Sequence, residues 1–152
     1  MLEEGVFAAT ADPRNPERAP VPEALPPHLN FAPLDNAIDS LSRSASRYEA
    51  AMGAALRRGA SAGTLAQVNS MVRDIERSFT STEGLPRRPW YRHLLYAPGY
   101  YTGYGVKTLP GVREAVEQKA WGDVDRETLR LAHAIEQGAS RISAMANLLE
   151  SP

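Results

Sequence analysis

Apolar residues recur at alternating steps of three and four in three separate stretches of this 152-residue chain. Such spacing places them along one face of an α-helix, whereas an amphipathic strand alternates with a period of two. The first stripe comprises Leu34, Ile38, Leu41, Ala45, Tyr48, Met52 and Ala55. The others comprise Leu65, Val68, Val72, Ile75 and Phe79, and then Leu131, Ile135, Gly138, Ile142, Met145 and Leu149. No stretch alternates convincingly, so the sequence predicts an all-α, up-down helical bundle.

Residues at the ends of the first two stripes are typical of helix boundaries. Pro33 suits the first turn of a helix, where its missing N–H group would have no partner. Gly59, which follows two arginines, suits a helix C-terminus. Ser61 or Thr64 can cap the second helix. Because the connection is only a few residues long, the two helices are predicted to form an antiparallel hairpin.

Two further helices are predicted in the C-terminal part of the chain. A short one covers about residues 111–119, and the last begins near Asp123 or Asp125, either of which can cap it. Gly138 lies on the apolar stripe of this last helix, where glycine costs about 1 kcal/mol of helix stability relative to alanine. A glycine at this position indicates that another backbone approaches closely.

The N-terminal residues 1–29 are predicted to form an extended, Pro-rich arm or a linker from an upstream domain, and residues 30–152 one helical domain. Seven of the twelve prolines fall within residues 11–33, which excludes a helix there and favours a polyproline-like conformation. The first ten residues lack the basic and apolar blocks of a signal peptide. No apolar run approaches the roughly 20 residues that span a bilayer. The chain by itself is therefore expected to be soluble and not exported.

Composition excludes several classes of function. The 17 Lys and Arg residues nearly balance the 18 Asp and Glu residues, so no overall field favours nucleic acid or an anionic membrane. The chain has no cysteine, which excludes disulfides and thiolate metal sites.

No constellation of catalytic or metal-binding residues is recognisable. Of the histidines, His28, His93 and His133, only the last has a carboxylate at helical metal-site spacing, Glu136, and such a lone pair is better explained as a solvated helix face. The sequence lacks HExxH, a Gly-rich phosphate loop and GxSxG. We therefore predict a non-catalytic domain without a metal site or cofactor of its own.

Between residues 80 and 111 the helical periodicity gives way to a long loop rich in proline, glycine and tyrosine. Its segment 90–104 reads WYRHLLYAPGYYTGY and holds six of the eleven aromatic residues. Loops of this length in compact domains are usually functional or disordered. Trp90, Leu94, Leu95 and Tyr96 can be explained as core residues that close the bundle. Tyr100, Tyr101 and Tyr104 lie among glycines, where no core packing requires a large side chain. Their position suggests contact with a ligand or a partner chain.

The same loop resembles the C-terminal helical domain of the transferrin receptor and glutamate carboxypeptidase family. The resemblance rests on LPRRPWYRHLLYAP at residues 85–98 and on Leu109-Pro110-Gly111. Ala120-Trp121-Gly122 before the last helix and Asn30 to Leu34 before the first fit the same family. It covers nearly all of the chain except the arm.

The resemblance implies a dimerisation domain of a larger protein, with a two-zinc, M28-type catalytic part located upstream. The zinc ligands would come from that part, and no zinc is expected in this chain. The family also implies that the parent works outside the cytoplasm, as a secreted, periplasmic or membrane-anchored protein. Partners would be a second copy of the chain and the catalytic part, without nucleic acid and without a membrane span here.

The resemblance further implies that the loop reaches the substrate pocket. In the carboxypeptidases a Lys-Tyr pair there contacts the substrate carboxylates; Tyr104 matches the tyrosine, whereas Gly103 stands in the place of the lysine. Residues expected to contact the second subunit or the catalytic part are Trp90, Tyr91, His93, Tyr96, Gly138 and Ile142. Two alternatives stay open: a structural module of a non-catalytic, receptor-like parent, and a bundle that binds a small molecule through its tyrosine loop.

Overall fold

The computed structural model of the chain describes residues 23–151, and the predicted arm lies largely outside them. The elements are helix α1 (Ala32–Arg58), helix α2 (Ala62–Asp74), a 3₁₀ helix (Ile75–Phe79), strands β1 (Tyr96–Pro98) and β2 (Val106–Thr108), helix α3 (Pro110–Glu117) and helix α4 (Trp121–Glu150). Residues 23–31 are neither helix nor strand. The all-α prediction is confirmed, with the addition of a small antiparallel hairpin that the sequence did not predict. None of the helices found in residues 23–151 is long and apolar enough to cross a bilayer.

The boundaries of the first two helices follow the predicted signals. Pro33 lies in the first turn of α1, and Gly59 ends the helix in the left-handed conformation, with φ of 75°. At the start of α2 the Oγ atom of Ser61 accepts a hydrogen bond of 3.0 Å from the backbone N–H of Thr64. Of the two residues proposed as the cap, Ser61 therefore has this role.

The last helix begins two residues before Asp123, and the predicted capping by Asp123 or Asp125 is wrong. Helix α4 begins at Trp121, and its N-cap residue, Ala120, makes no side-chain capping bond. Asp123 instead lies within the first turn, where a negative charge is favourable next to the unpaired N–H groups. Its carboxylate also contacts Arg126 at 3.0 Å.

The two long helices, α1 and α4, run in the same direction and form the body of the bundle. Leu34 near the start of α1 shares an apolar cluster with Leu131, and Ala55 near its end shares a second cluster with Leu149. Between these clusters the hydroxyl groups of Ser44 and Ser143 lie 3.0 Å apart. Val68 of α2 is fully buried in the second cluster. Leu65 near the start of α2 belongs to the cluster of Leu149, whereas Phe79, just after the helix, lies against Gly138. Helix α2 therefore runs antiparallel to α4, and the three helices run up, down and up.

Gly138 is explained by a side chain rather than by a second backbone. A Cβ atom at this position would lie 2.8 Å from Cζ of Phe79, the last residue of the 3₁₀ helix. Phe79 thus occupies the space that a larger residue would need, and among residues 23–151 this side chain, rather than another backbone, approaches Gly138. The contact lies within the chain and joins the 3₁₀ helix to α4.

Candidate functional site

The tyrosine-rich loop folds into a hairpin, here called the tyrosine hairpin, that consists of residues 96–108. Strands β1 and β2 pair Tyr96 with Thr108, Ala97 with Lys107, and Pro98 with Val106. Because opposite residues share a face, Ala97 and Lys107 face the bundle, and both are largely buried. The side chains of Tyr96 and Val106 lie on the other face and are exposed.

Residues 99–105 form the tip of this hairpin and carry three tyrosines. Tyr104 is fully exposed, Tyr101 is 71% exposed and Tyr100 is 41% exposed. The rings of Tyr100 and Tyr101 meet edge to face, with their centroids 4.8 Å apart. Gly103 has φ of 61°, and a Cβ atom there would meet open space. These tyrosines are therefore not part of the core, which leaves their side chains free for an external contact.

A buried ion pair lies beneath the point where β1 enters the tip. The Nη2 atom of Arg88 lies 2.6 Å from Oε1 of Glu114, and both side chains are about 95% buried. The same carboxylate oxygen accepts a 2.8 Å hydrogen bond from the backbone N–H of Tyr100. Nη1 of Arg88 donates to the carbonyl oxygen of Pro98. One guanidinium and one carboxylate thus hold the backbone on either side of Gly99.

Cation–π contacts extend this arrangement to the aromatic rings. The guanidinium carbon of Arg88 lies 5.6 Å from the ring centroid of Tyr91 and 5.7 Å from that of Tyr100. Arg87, which is exposed and has φ of 62°, lies 4.5 Å from the Tyr100 ring centroid. The ring of Tyr100 is therefore oriented by two arginines.

Helix α3 anchors the second strand as well as the first. Lys107 Nζ lies 2.5 Å from Oε2 of Glu117, and Arg113 Nη1 donates to Oγ1 of Thr108 at 3.2 Å. Both strands are therefore attached to the same short helix, β1 through Arg88, which bonds both Pro98 and Glu114, and β2 through Lys107 and Thr108.

A second polar cluster lies at the base of the hairpin. Oε1 of Glu76 lies 2.9 Å from Nε2 of His93 and accepts a 2.8 Å hydrogen bond from the Tyr96 hydroxyl. The rings of His93 and Tyr96 are stacked, with centroids 4.0 Å apart. The hydrogen bond to Glu76 and the charge of that carboxylate raise the pKa of the Tyr96 phenol, because both disfavour the phenolate.

The residues expected at an interface divide into two groups. Trp90 is 71% exposed and Tyr96 is 49% exposed, so their explanation as core residues is wrong, whereas Leu94 is buried and Leu95 packs against the core. Tyr91 is 37% exposed. Of the two on α4, Gly138 is buried against Phe79 and Ile142 is half-buried beside the second cluster. Of the loop residues, Tyr96 lies in strand β1, His93 stacks on its ring, and Tyr91 lies beside Arg88.

Arg88 and Glu114 were not singled out for a role from the sequence. Glu114 could have been found, because it lies on the buried face of α3 together with Gly111 and Ala115, where an unpaired carboxylate would be costly. Among residues 23–151 no group of three or more His, Cys, Asp or Glu side chains has the arrangement of a metal site. His133 lies 2.9 Å from the Gln137 amide.

Comparison with known proteins gives a family match over most of the chain. Residues 29–143 match the model of the transferrin receptor-like dimerisation domain. A probable glutamate carboxypeptidase of Arabidopsis thaliana is 30% identical over 126 residues, which cover 77% of this chain and 18% of that protein. A probable glutamate carboxypeptidase of Arthroderma benhamiae is 42% identical over 84 residues, 55% of this chain and 11% of the relative.

A third relative differs in its described activity. An inactive zinc metalloprotease of Schizosaccharomyces pombe is 31% identical over 77 residues, 49% of this chain and 9% of the relative. The chain spans less than a fifth of the length of each of these proteins.

Proposed function

Because the chain belongs to the transferrin receptor-like dimerisation domain family, we propose that it joins two copies of a larger, glutamate carboxypeptidase-like zinc peptidase, and that its tyrosine hairpin forms part of the substrate pocket. The proposed role in the substrate pocket is supported by the arrangement of the hairpin. Its three tip tyrosines are exposed, yet the backbone beneath them is held by a buried ion pair. A backbone held at Pro98 and Tyr100 gives the exposed rings a defined direction, which reduces the order lost when a ligand docks.

The chemistry of the tip favours contact with a carboxylate or a polar peptide group. The Tyr104 hydroxyl can donate a hydrogen bond, and it is unobstructed within residues 23–151. Gly103 offers no side chain beside it, and Lys107 is already paired with Glu117 on the inward face. No ammonium group is therefore available at the tip, where the exposed guanidinium of Arg87 beside the Tyr100 ring supplies a cation, and we propose that the pocket binds the carboxylate of a peptide C-terminus.

In this proposal the zinc ions are bound by the catalytic part of the parent protein. The residues that the structure describes contain no cluster of ligands that fits the metal, so we assign the zinc ions and the hydrolytic step to the catalytic part of the parent. The contribution of this chain is to bind and orient the substrate.

The dimer is proposed to be isologous and to use the exposed face of the long helices. Ile38 and Leu56 of α1 are 47% and 59% exposed. They are separated by about five helical turns and therefore lie on one face of α1. We propose that these two exposed apolar side chains, which lie about 27 Å apart along the helix, contact the second copy.

A structural module of a non-catalytic parent is the second candidate. It is favoured by the similarity to the Schizosaccharomyces pombe protein, which is described as inactive. In that case the tyrosine hairpin would have no substrate to contact, and its exposed rings would pack only on neighbouring domains. Peptidase activity in a longer protein that carries this domain separates the two candidates.

The proposed pocket role is tested by Tyr104→Phe in such a longer protein. Loss of one hydrogen bond to a charged group is expected to raise KM for peptide substrates about tenfold, because such bonds contribute about 1.5 kcal/mol or more. The matched control is Tyr48→Phe, the same change in α1 beside the second apolar cluster. Equal KM values for both variants and the unaltered protein would contradict the pocket role.

A further inference from the structure

The contacts of Arg88 and Glu114 are directed at the loop rather than at the long helices. Glu114 accepts from the N–H of Tyr100, and Arg88 donates to the carbonyl of Pro98. Glu114 itself belongs to α3, which packs on α4. The pair therefore links the tip of the hairpin to the body of the domain at the residue where the tip begins.

The tip has few other restraints of its own. It contains Gly99, Gly103 and Gly105, and glycine leaves the backbone more conformations than any other residue. Within the tip, backbone hydrogen bonds run from Gly99 N–H to Gly105 O at 2.9 Å and from Gly105 N–H to Thr102 O at 3.4 Å. On the side of β1, the direction in which the tip leaves the domain thus depends on the anchor at Pro98 and Tyr100.

A buried ion pair is an expensive way to stabilise a domain. Its desolvation penalty is comparable with the attraction between the charges, and apolar residues of similar volume often serve as well or better. What apolar side chains cannot supply is directional bonding to the backbone atoms of Pro98 and Tyr100. The desolvation penalty of this pair is therefore better explained by a need to hold these backbone atoms in place than by a gain in stability.

We infer that Arg88 and Glu114 are positioning residues, which set the placement of Tyr100, Tyr101 and Tyr104 relative to the substrate pocket. This inference rests on the proposed pocket role of the tip. The pair touches no substrate. It acts through the backbone of Pro98 and Tyr100, and through the cation–π contact that holds the Tyr100 ring.

The first test uses the double variant R88M/E114L in this chain. Apolar side chains of similar size should keep the bundle folded, while the bonds to Pro98 and Tyr100 are lost. Exchange of the Tyr100 amide hydrogen, followed by NMR, is expected to become about tenfold faster or more, because its acceptor is gone. The control is R47M/E150L, which replaces an exposed pair on α1 and α4 and should leave Tyr100 unchanged. Unchanged exchange and chemical shifts of Tyr100 in the folded R88M/E114L variant would overturn the inference.

If the double variant does not fold, R88K supplies the same test. Lysine keeps a positive charge near Glu114, but a single ammonium group cannot reproduce the planar, two-sided contact with Glu114 and Pro98. The folded R88K variant is expected to show altered chemical shifts at Pro98 and Tyr100 with helical content retained. Identical spectra in this region would overturn the inference as well.

The second test measures peptide hydrolysis in a longer protein that contains this domain and a catalytic part. R88M/E114L is expected to raise KM about tenfold or more, since small displacements of a substrate-positioning group have large kinetic effects. The dimer and the melting temperature should change little. If Tyr104→Phe raises KM but R88M/E114L does not, the positioning role is wrong and the pocket role stands. If neither variant changes KM, the pocket role itself fails.

Discussion

Arg88 and Glu114 form an ion pair of 2.6 Å in which both side chains are about 95% buried. The carboxylate oxygen that contacts Arg88 also accepts the Tyr100 amide at 2.8 Å. Burial of the two charges costs free energy of folding, whereas the same pair holds the backbone of the tyrosine hairpin at Tyr100. The expected loss of folding stability is large when one partner is removed and small when both are replaced by apolar residues.

Removal of one partner is expected to be severe. Glu114→Ala leaves the Arg88 guanidinium buried without its counter-charge, which costs about 3–5 kcal/mol in comparable cases. Urea denaturation of this chain checks the value. The double variant R88M/E114L should recover most of the loss. A single variant no less stable than the unaltered chain would contradict the burial of the pair.

Gly138→Ala is expected to destabilise the domain although alanine favours helices. The added Cβ atom would lie 2.8 Å from the Phe79 ring, and overpacking costs about 1–3 kcal/mol, against about 1 kcal/mol gained in helix propensity. In a Phe79→Leu background the clash is relieved, so the same change should become neutral or stabilising. Thermal unfolding of the four proteins in this cycle measures the coupling, and additive effects would show that the ring is not the obstacle.

Two other glycines provide a matched pair on α1. Gly59 has φ of 75°, so Gly59→Ala should cost about 1–2 kcal/mol, because L-residues are strained in the left-handed region. Gly53 lies within the helix and would place a Cβ atom at an ordinary distance from Arg57. Gly53→Ala is therefore expected to stabilise the domain by up to about 1 kcal/mol. Equal effects of the two substitutions on the denaturation midpoint would contradict the assigned helix end.

The cluster at the base of the hairpin predicts a pH effect. Glu76 raises the pKa of Tyr96 by accepting its proton in a hydrogen bond and by its charge. A raised pKa of an acid in the folded state means that its contribution to stability is present at neutral pH and is lost as pH rises through that pKa. Phenolate absorbance should reveal one tyrosine that ionises above the ordinary range. This late step should disappear in Tyr96→Phe and move to lower pH in Glu76→Gln; a titration unaltered by Glu76→Gln would contradict the contact.

The sequence predicted the helices well because helical periodicity and local end signals are properties of neighbouring residues. Gly59 and Ser61 act where the sequence placed them. The start of α4 was missed because an aspartate in the first turn and an aspartate at the cap have the same local preference. The strands were missed since three-residue strands are too short for an alternating pattern.

The candidate site was predicted only in part. The tip tyrosines could be identified because glycines surround them, and all three prove to be exposed. The pairing of Arg88 with Glu114 joins residues 26 positions apart in the chain, and no local pattern specifies such a contact. Trp90 was misjudged as core because apolar character alone does not determine which side of a loop a ring faces.

The central claim is that this chain is a domain through which two copies associate. Sedimentation velocity of the chain at tens of micromolar concentration tests it most directly. We predict a dimer for the unaltered chain and a helical monomer for the double variant I38E/L56E, with Gln67→Glu, an exposed change on α2, as the control that stays dimeric. A clean monomer of the unaltered chain across this concentration range would contradict the account.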